Sequence, residues 1–226
     1  KCTKVPEAQI LGSAIGMKVM EDVPYVIGLA KLTGNELDDK TIGYLKDFGA
    51  ATASNGAVGL YHIDGLTPEA KKYGEKLILP DAKEYVIDDE EIERVYRSYP
   101  IMWKKPNKKG NLVFIGCPHL TFEQLNSWTD RIVNGLKETK RKKVVCRTIM
   151  TTAPDIADKF KKTPKYNELM ATGVKLTSIC PLMYTNNPIT KSRRVYTSSN
   201  KLRTYSFARY AKDQEILDFI VGKAGK

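Results

Sequence analysis

Short apolar, β-branched runs alternate with amphipathic stretches along the whole of this 226-residue chain, and that alternation admits few architectures. Parallel strands cannot be joined by a tight turn, so each needs a crossover, usually a helix. The pattern predicts an α/β fold of layered α/β/α type with mainly parallel sheets. In the first half, 23–29 and 57–63 read as strands with a helix over 36–53 between them. A short helix from Pro68, a strand over 76–79 and an acidic helix over 88–99 follow. The carboxylates crowded into 88–91 suit the positive end of that last helix. Between 102 and 110, Pro106, Asn107 and Gly110 stand among lysines, and composition and charge change together. The boundary expected there, near residue 105, divides the chain into a first α/β subdomain over 1–105 and a second over 106–226.

The formal charge of +11 is unevenly placed: residues 1–105 carry 14 Lys and Arg against 17 Asp and Glu, and residues 106–226 carry 23 against 9. The basic runs, Lys104-Lys105 with Lys108-Lys109 and 140–143, lie beside predicted turns and are not interleaved with exposed aromatics, which argues against nucleic acid as a partner. A solvated basic rim, an anionic substrate and an acidic partner subunit remain. No apolar run approaches the roughly 20 residues of a membrane span, and no basic-then-apolar leader opens the chain. A cytoplasmic protein without membrane contact is expected. Four cysteines, at 2, 117, 146 and 180, show neither paired spacing nor disulfide density, so reduced thiols are expected.

In the second half, strands read over 111–115, 143–150, 174–179 and 194–197. The first runs into Gly116-Cys117-Pro118-His119 and a helix capped by Thr121; the third runs into Cys180-Pro181; the fourth runs into Ser198-Ser199-Asn200-Lys201. Ligands of open α/β sheets bind at such carboxyl ends. Cys117 and Cys180 read singly as buried, inert thiols, but two Cys-Pro turns after strands of one sheet point to iron or an iron–sulfur cluster. Cys146, inside a β-branched run, reads as core. The two histidines, His62 and His119, both fall at strand ends, where function competes with a structural role. The 197–201 loop offers hydroxyls and an ammonium to a carboxylate or phosphate, although Ser and Thr there are also ordinary helix caps.

At these residues the chain resembles the aconitase X family. The run Phe48-Gly49-Ala50-Ala51-Thr52-Ala53-Ser54-Asn55-Gly56-Ala57-Val58-Gly59-Leu60-Tyr61-His62, leading into Gly65-Leu66-Thr67-Pro68-Glu69-Ala70, is similar to that family's central signature. Gly116-Cys117-Pro118-His119, Cys180-Pro181 and the stretch 197–205 resemble its later elements, in the same order. Ser198, Asn200 and Thr204 depart from the family pattern. The resemblance implies an aconitase-like fold and the carboxyl-terminal portion of a larger catalytic subunit, with an amino-terminal part absent and a small swivelling subunit as partner. It implies a hydro-lyase acting on a small anionic substrate such as cis-3-hydroxy-L-proline, with mevalonate 5-phosphate as the alternative. A non-catalytic module that docks an acidic subunit is the competing class. Iron or an iron–sulfur cluster would be held by Cys117 and Cys180. Ser199 would serve as base or carboxylate anchor and Lys201 as neutralising cation. His62 and His119 are further proton-transfer candidates, and Ser198, Asn200, Tyr205 and Glu69 would contact substrate.

Overall fold

The computed structural model describes residues 2–185, 187 and 193–223, in two compact units that divide between Tyr99 and Pro100. In the first unit the elements run α1 (Ala8–Val19), β1 (Tyr25–Val26), α2 (Ala30–Thr33), α3 (Asp39–Asn55), β2 (His62–Ile63), α4 (Pro68–Tyr73), a 3-10 turn over Gly74–Leu77 and α5 (Asp89–Arg97). Nothing in the hydrophobic pattern announces α1, because residues 8–16 are all buried. A helix enclosed on every side has no polar stripe to set its period. It lies close against α3 at two glycines. A Cβ on Gly12 would stand 2.8 Å from the Ala51 Cβ and run into the Phe48 carbonyl, and one on Gly16 would meet the Thr52 carbonyl at 2.6 Å. Gly12→Val is therefore expected to destabilise this unit by about 3 kcal/mol in urea unfolding, the cost of forcing bulk into a closed contact.

The strands expected over 23–29 and 57–63 shrink to a parallel pair of two residues each, with Tyr25 beside His62 and Val26 beside Ile63. The expected strand over 76–79 is absent; its place is taken by the 3-10 turn. Two of the helices, α3 and α5, begin where a side chain accepts one of the first free amides. Asp38 accepts from Thr41 N at 2.7 Å, which holds its carboxyl below the usual range, and Asp88 accepts from Glu91 N at 2.9 Å. Glu91 itself is clasped by Arg94 and accepts from the Tyr85 hydroxyl. Chiefly through the Arg94 hydrogen bond its carboxyl is lowered to about 2. A carboxyl depressed in the folded state contributes stability above its unfolded value and loses it as the pH falls. The contribution should fade from about pH 4.5 to about pH 2 in acid unfolding, and Glu91→Gln should flatten that dependence.

The second unit runs β3 (Leu112–Leu120), α6 (Phe122–Glu138), β4 (Thr148–Thr152), α7 (Pro154–Lys161), α8 (Pro164–Ala171), β5 (Lys175–Thr177), α9 (Pro181–Thr185), β6 (Val195–Thr197), α10 (Asn200–Thr204), β7 (Arg209–Tyr210) and α11 (Asp213–Ile220). Its five strands are all parallel, in the order β5-β4-β3-β6-β7. Alternate residues of β3 serve opposite faces. Val113 and Ile115 join Met150, Leu125, Ile132, Phe160 and Ile220 in one cluster, while Leu112 and Phe114 join Val195, Leu202 and Ala208 in another. Thr121 caps α6 as its sequence suggests, in a reciprocal capping box with Gln124. The run 143–150 is strand only from Thr148. Before it, Val144 N donates to Thr172 O and Val145 N to Ile220 O, so these amides leave the sheet for neighbouring loops and helices.

Candidate functional site

From β3 the chain passes through α6 to β4 on one side of the sheet; from β6 it passes through α10 to β7 on the other. The connections of the adjacent strands β3 and β6 thus leave for opposite faces, the topological switch point beside which α/β sheets bind ligands in a crevice. Gly116-Cys117-Pro118-His119 stands at one lip and Ser198-Ser199-Asn200 at the other, because Phe114 is in register with Thr197.

The β3 lip is an excursion from the ladder. Ile115 pairs with Met150 and the next pair is Leu120 with Thr152, so five residues of β3 are spent against two of β4. Bulges of this kind re-aim side chains. Gly116 turns the chain at φ +103°, and a Cβ there would stand 2.9 Å from Leu120 Cγ and run into the Thr151 carbonyl. The turn sends Cys117 onto the face of Leu112 and Phe114, where it is 9% exposed and shares an apolar cluster with Val195, Leu202 and Ala208; the peptide to Pro118 is cis. His119 is half-buried at the end of the excursion. Thr151 donates its hydroxyl proton to the Gly116 carbonyl, and Thr152 donates to the Leu120 carbonyl at 2.6 Å. Neither threonine stands out in the sequence. Their only signal is a pair of hydroxyls at the end of a strand.

At the β6 lip, Ser199 is the cap of α10. Its hydroxyl oxygen accepts from Leu202 N at 3.0 Å, its own amide donates to Thr197 Oγ1 at 3.1 Å, and it is 3% exposed. Asn200 is wholly buried and its side-chain oxygen accepts twice from Arg203, at 2.8 and 2.6 Å. Lys201 and Tyr205, one turn apart, reach solvent, and Ser198 is half-buried. The 198–205 stretch thus divides into a buried capping pair and an exposed pair bearing an ammonium and a phenol.

Cys180 is exposed at the start of α9, whose Leu182 and Tyr184 pack against the cluster holding Cys117. The structure therefore gathers Cys117, His119, Cys180 and 198–205 on one sheet edge. His62 and Glu69 belong to the first unit. His62 lies half-buried in β2 with its Nδ1 sealed from solvent and without a hydrogen-bond partner. Glu69 is exposed in the first turn of α4. Cys146 packs against the large cluster of the second unit, and burial pushes its thiol up to about 11.

Two family models match the chain: one described as aconitase X second domain over residues 3–97, the other as aconitase X third domain over residues 110–218. The chain belongs to the aconitase X family. Among its aconitase X relatives, the phosphomevalonate dehydratase large subunit of Methanosarcina mazei is 30% identical over 71% of this chain and 35% of its own length. The cis-3-hydroxy-L-proline dehydratase of Hypocrea jecorina is 27% identical over 87% of this chain and 31% of its own. The crystal structure of Thermococcus kodakaraensis aconitase X (holo-form) superposes with a TM-score of 0.70 at 23% identity, covering 96% of this chain and 53% of that one, and shows the same fold. The chain thus spans about a third to a half of the relatives it matches.

The thiols of Cys117 and Cys180 suit iron or an iron–sulfur cluster in kind, since thiolates hold such centres. In number they fall short: among the described residues no three His, Cys, Asp or Glu side chains are grouped to hold a metal. Nor is any helix among them long and apolar enough to cross a membrane.

Proposed function

We propose that this chain forms part of a hydro-lyase that eliminates water from a small hydroxy carboxylate, and that the reaction takes place at the carboxyl edge of the second unit's sheet. The observation that carries this reading is the convergence of the Cys117, Cys180 and Ser199 segments on one apolar cluster beside the β3/β6 crevice. Relatives named as dehydratases support the reaction class. Mevalonate 5-phosphate is the preferred substrate and cis-3-hydroxy-L-proline the second. The excess of cations over 106–226 suits the more anionic of the two.

Cys117 and Cys180 would supply two ligands to iron, with the remainder coming from outside the described residues. When bound, the metal acts as a Lewis acid towards the substrate's oxygen atoms. This chain's own residues then have distinct tasks. Ser199 Oγ, once its own proton has passed to solvent, is the alkoxide that takes the proton from the carbon next to the leaving hydroxyl and returns to the neutral hydroxyl, and the Leu202 amide directed at it favours the charged form. The Lys201 ammonium neutralises the carboxylate or phosphate, while Tyr205 and Ser198 offer it hydrogen bonds. The arginine fork on Asn200 holds the backbone from which Lys201 projects. His119 stands on the opposite lip to give a proton to the departing hydroxyl. The relatives named large subunits support a small-subunit partner, and the free thiols suit the reducing cytoplasm.

The reading is tested by assaying both substrates with this chain joined to the remaining domains and the small subunit. Formation of the unsaturated product from either one supports it. Turnover of neither, by a folded complex loaded with iron, would leave the docking-module class.

A further inference from the structure

The Gly116–His119 excursion is fastened at both ends by hydroxyls of a single neighbouring strand. Thr151 and Thr152 are each fully buried, and each gives its one hydroxyl proton to a carbonyl of β3: Thr151 to Gly116, where the excursion leaves the ladder, and Thr152 to Leu120, where it returns. Between those points β4 spends one residue, Thr151 itself, while β3 spends four. The backbone ladder therefore supplies no regular partner across the excursion, and the two side chains are the ties that the described hydrogen bonds provide on its β4 side. A loop carrying a nucleophilic or ligating thiol must hold its geometry closely, and rigid second contacts are the usual means. We infer that Thr151 and Thr152 are positioning residues, whose paired hydroxyls fix the Gly116–His119 excursion and so hold Cys117 against the apolar cluster beside the β3/β6 crevice.

The threonine methyl groups alone do not account for this arrangement. Valine would fill the same space, but would set a methyl against each carbonyl and remove the hydroxyl donor from it. The geometry makes serine the conservative replacement, since it keeps the donor. The inference rests on the reading that the excursion serves a reaction site, yet its test needs no turnover.

The test is alkylation of the full 226-residue chain with iodoacetamide, followed residue by residue through peptide mass spectrometry, for the parent, Thr152→Val, Thr152→Ser and Thr151→Ser. Cys146, half-buried before β4 and packed against the opposite cluster from the one that holds Cys117, is the internal reference. Releasing one tie should accelerate Cys117 alkylation about tenfold in Thr152→Val, the effect of losing one buried hydrogen bond on a local opening. Cys146 should keep its parental rate, and both serine variants should stay within about twofold of the parent. Equal acceleration of Cys117 and Cys146, as in a chain that has loosened or failed to fold, would overturn the inference, because the hydroxyl would then be serving the fold at large. So would a Cys117 rate unchanged in Thr152→Val, or serine variants that behave like valine. Failure of the hydro-lyase reading is seen separately, as an absence of iron and turnover with these rate ratios intact.

Discussion

Gly116→Val is expected to cost the second unit about 5 kcal/mol, enough to unfold many domains outright. Two costs add at this position. A β-branched side chain must adopt φ +103°, and its Cβ must displace Leu120 Cγ and the Thr151 carbonyl from a closed contact. Gly173→Ala separates them. That glycine also has positive φ, +84°, but a Cβ there meets nothing nearer than the Lys143 side chain at 3.8 Å. It should lose only about 1 kcal/mol, the backbone part alone. Urea unfolding of the two variants measures the difference directly. Comparable losses at both sites would mean that the excursion yields readily and is not a rigid platform.

The largest effect on turnover is expected at Ser199. Its hydroxyl is at once the cap of α10 and the group assigned to move the proton, so alanine would confound the two. Glycine separates them, because it replaces a capping serine at a cost of only a few tenths of a kcal/mol. Ser199→Gly in the complete enzyme should therefore melt within a few degrees of the parent while kcat falls about a thousandfold, the scale of a lost general base. A loss in KM alone would reassign the hydroxyl to substrate anchoring. Parental kcat would remove Ser199 from the chemistry altogether.

The parts of this molecule that were legible in its sequence are those where chemistry and chain direction coincide. Glycine, cysteine, proline and histidine in succession interrupt a β-branched run, and Thr121 after them announces a helix, so the β3 to α6 passage is legible in the sequence. The same holds for Cys180-Pro181 and for the hydroxyl loop after β6. Less legible were elements whose surroundings erase their pattern. The helix α1 is buried on all sides over residues 8–16 and has no amphipathic period there, and the 143–147 run has strand composition but spends the Val144 and Val145 amides on Thr172 and Ile220. The two-residue strands of the first unit mark a further limit, since β-branched composition specifies extended backbone without specifying a ladder. Thr151 and Thr152 were invisible for another reason: a threonine pair at a strand end is ordinary in sequence, and only the unequal register of β3 and β4 shows what the hydroxyls hold.

Whether the β3/β6 crevice is the reaction site is tested most directly by the iron content of the protein, completed with its remaining domains, after anaerobic reconstitution with iron and sulfide. The parent and Cys146→Ser should hold iron equally. Cys117→Ser and Cys180→Ser should each lose it, with the fold of the second unit retained by circular dichroism. Iron held undiminished by both of those variants would contradict the account, because the two thiols of the sheet edge would then have no part in the metal centre.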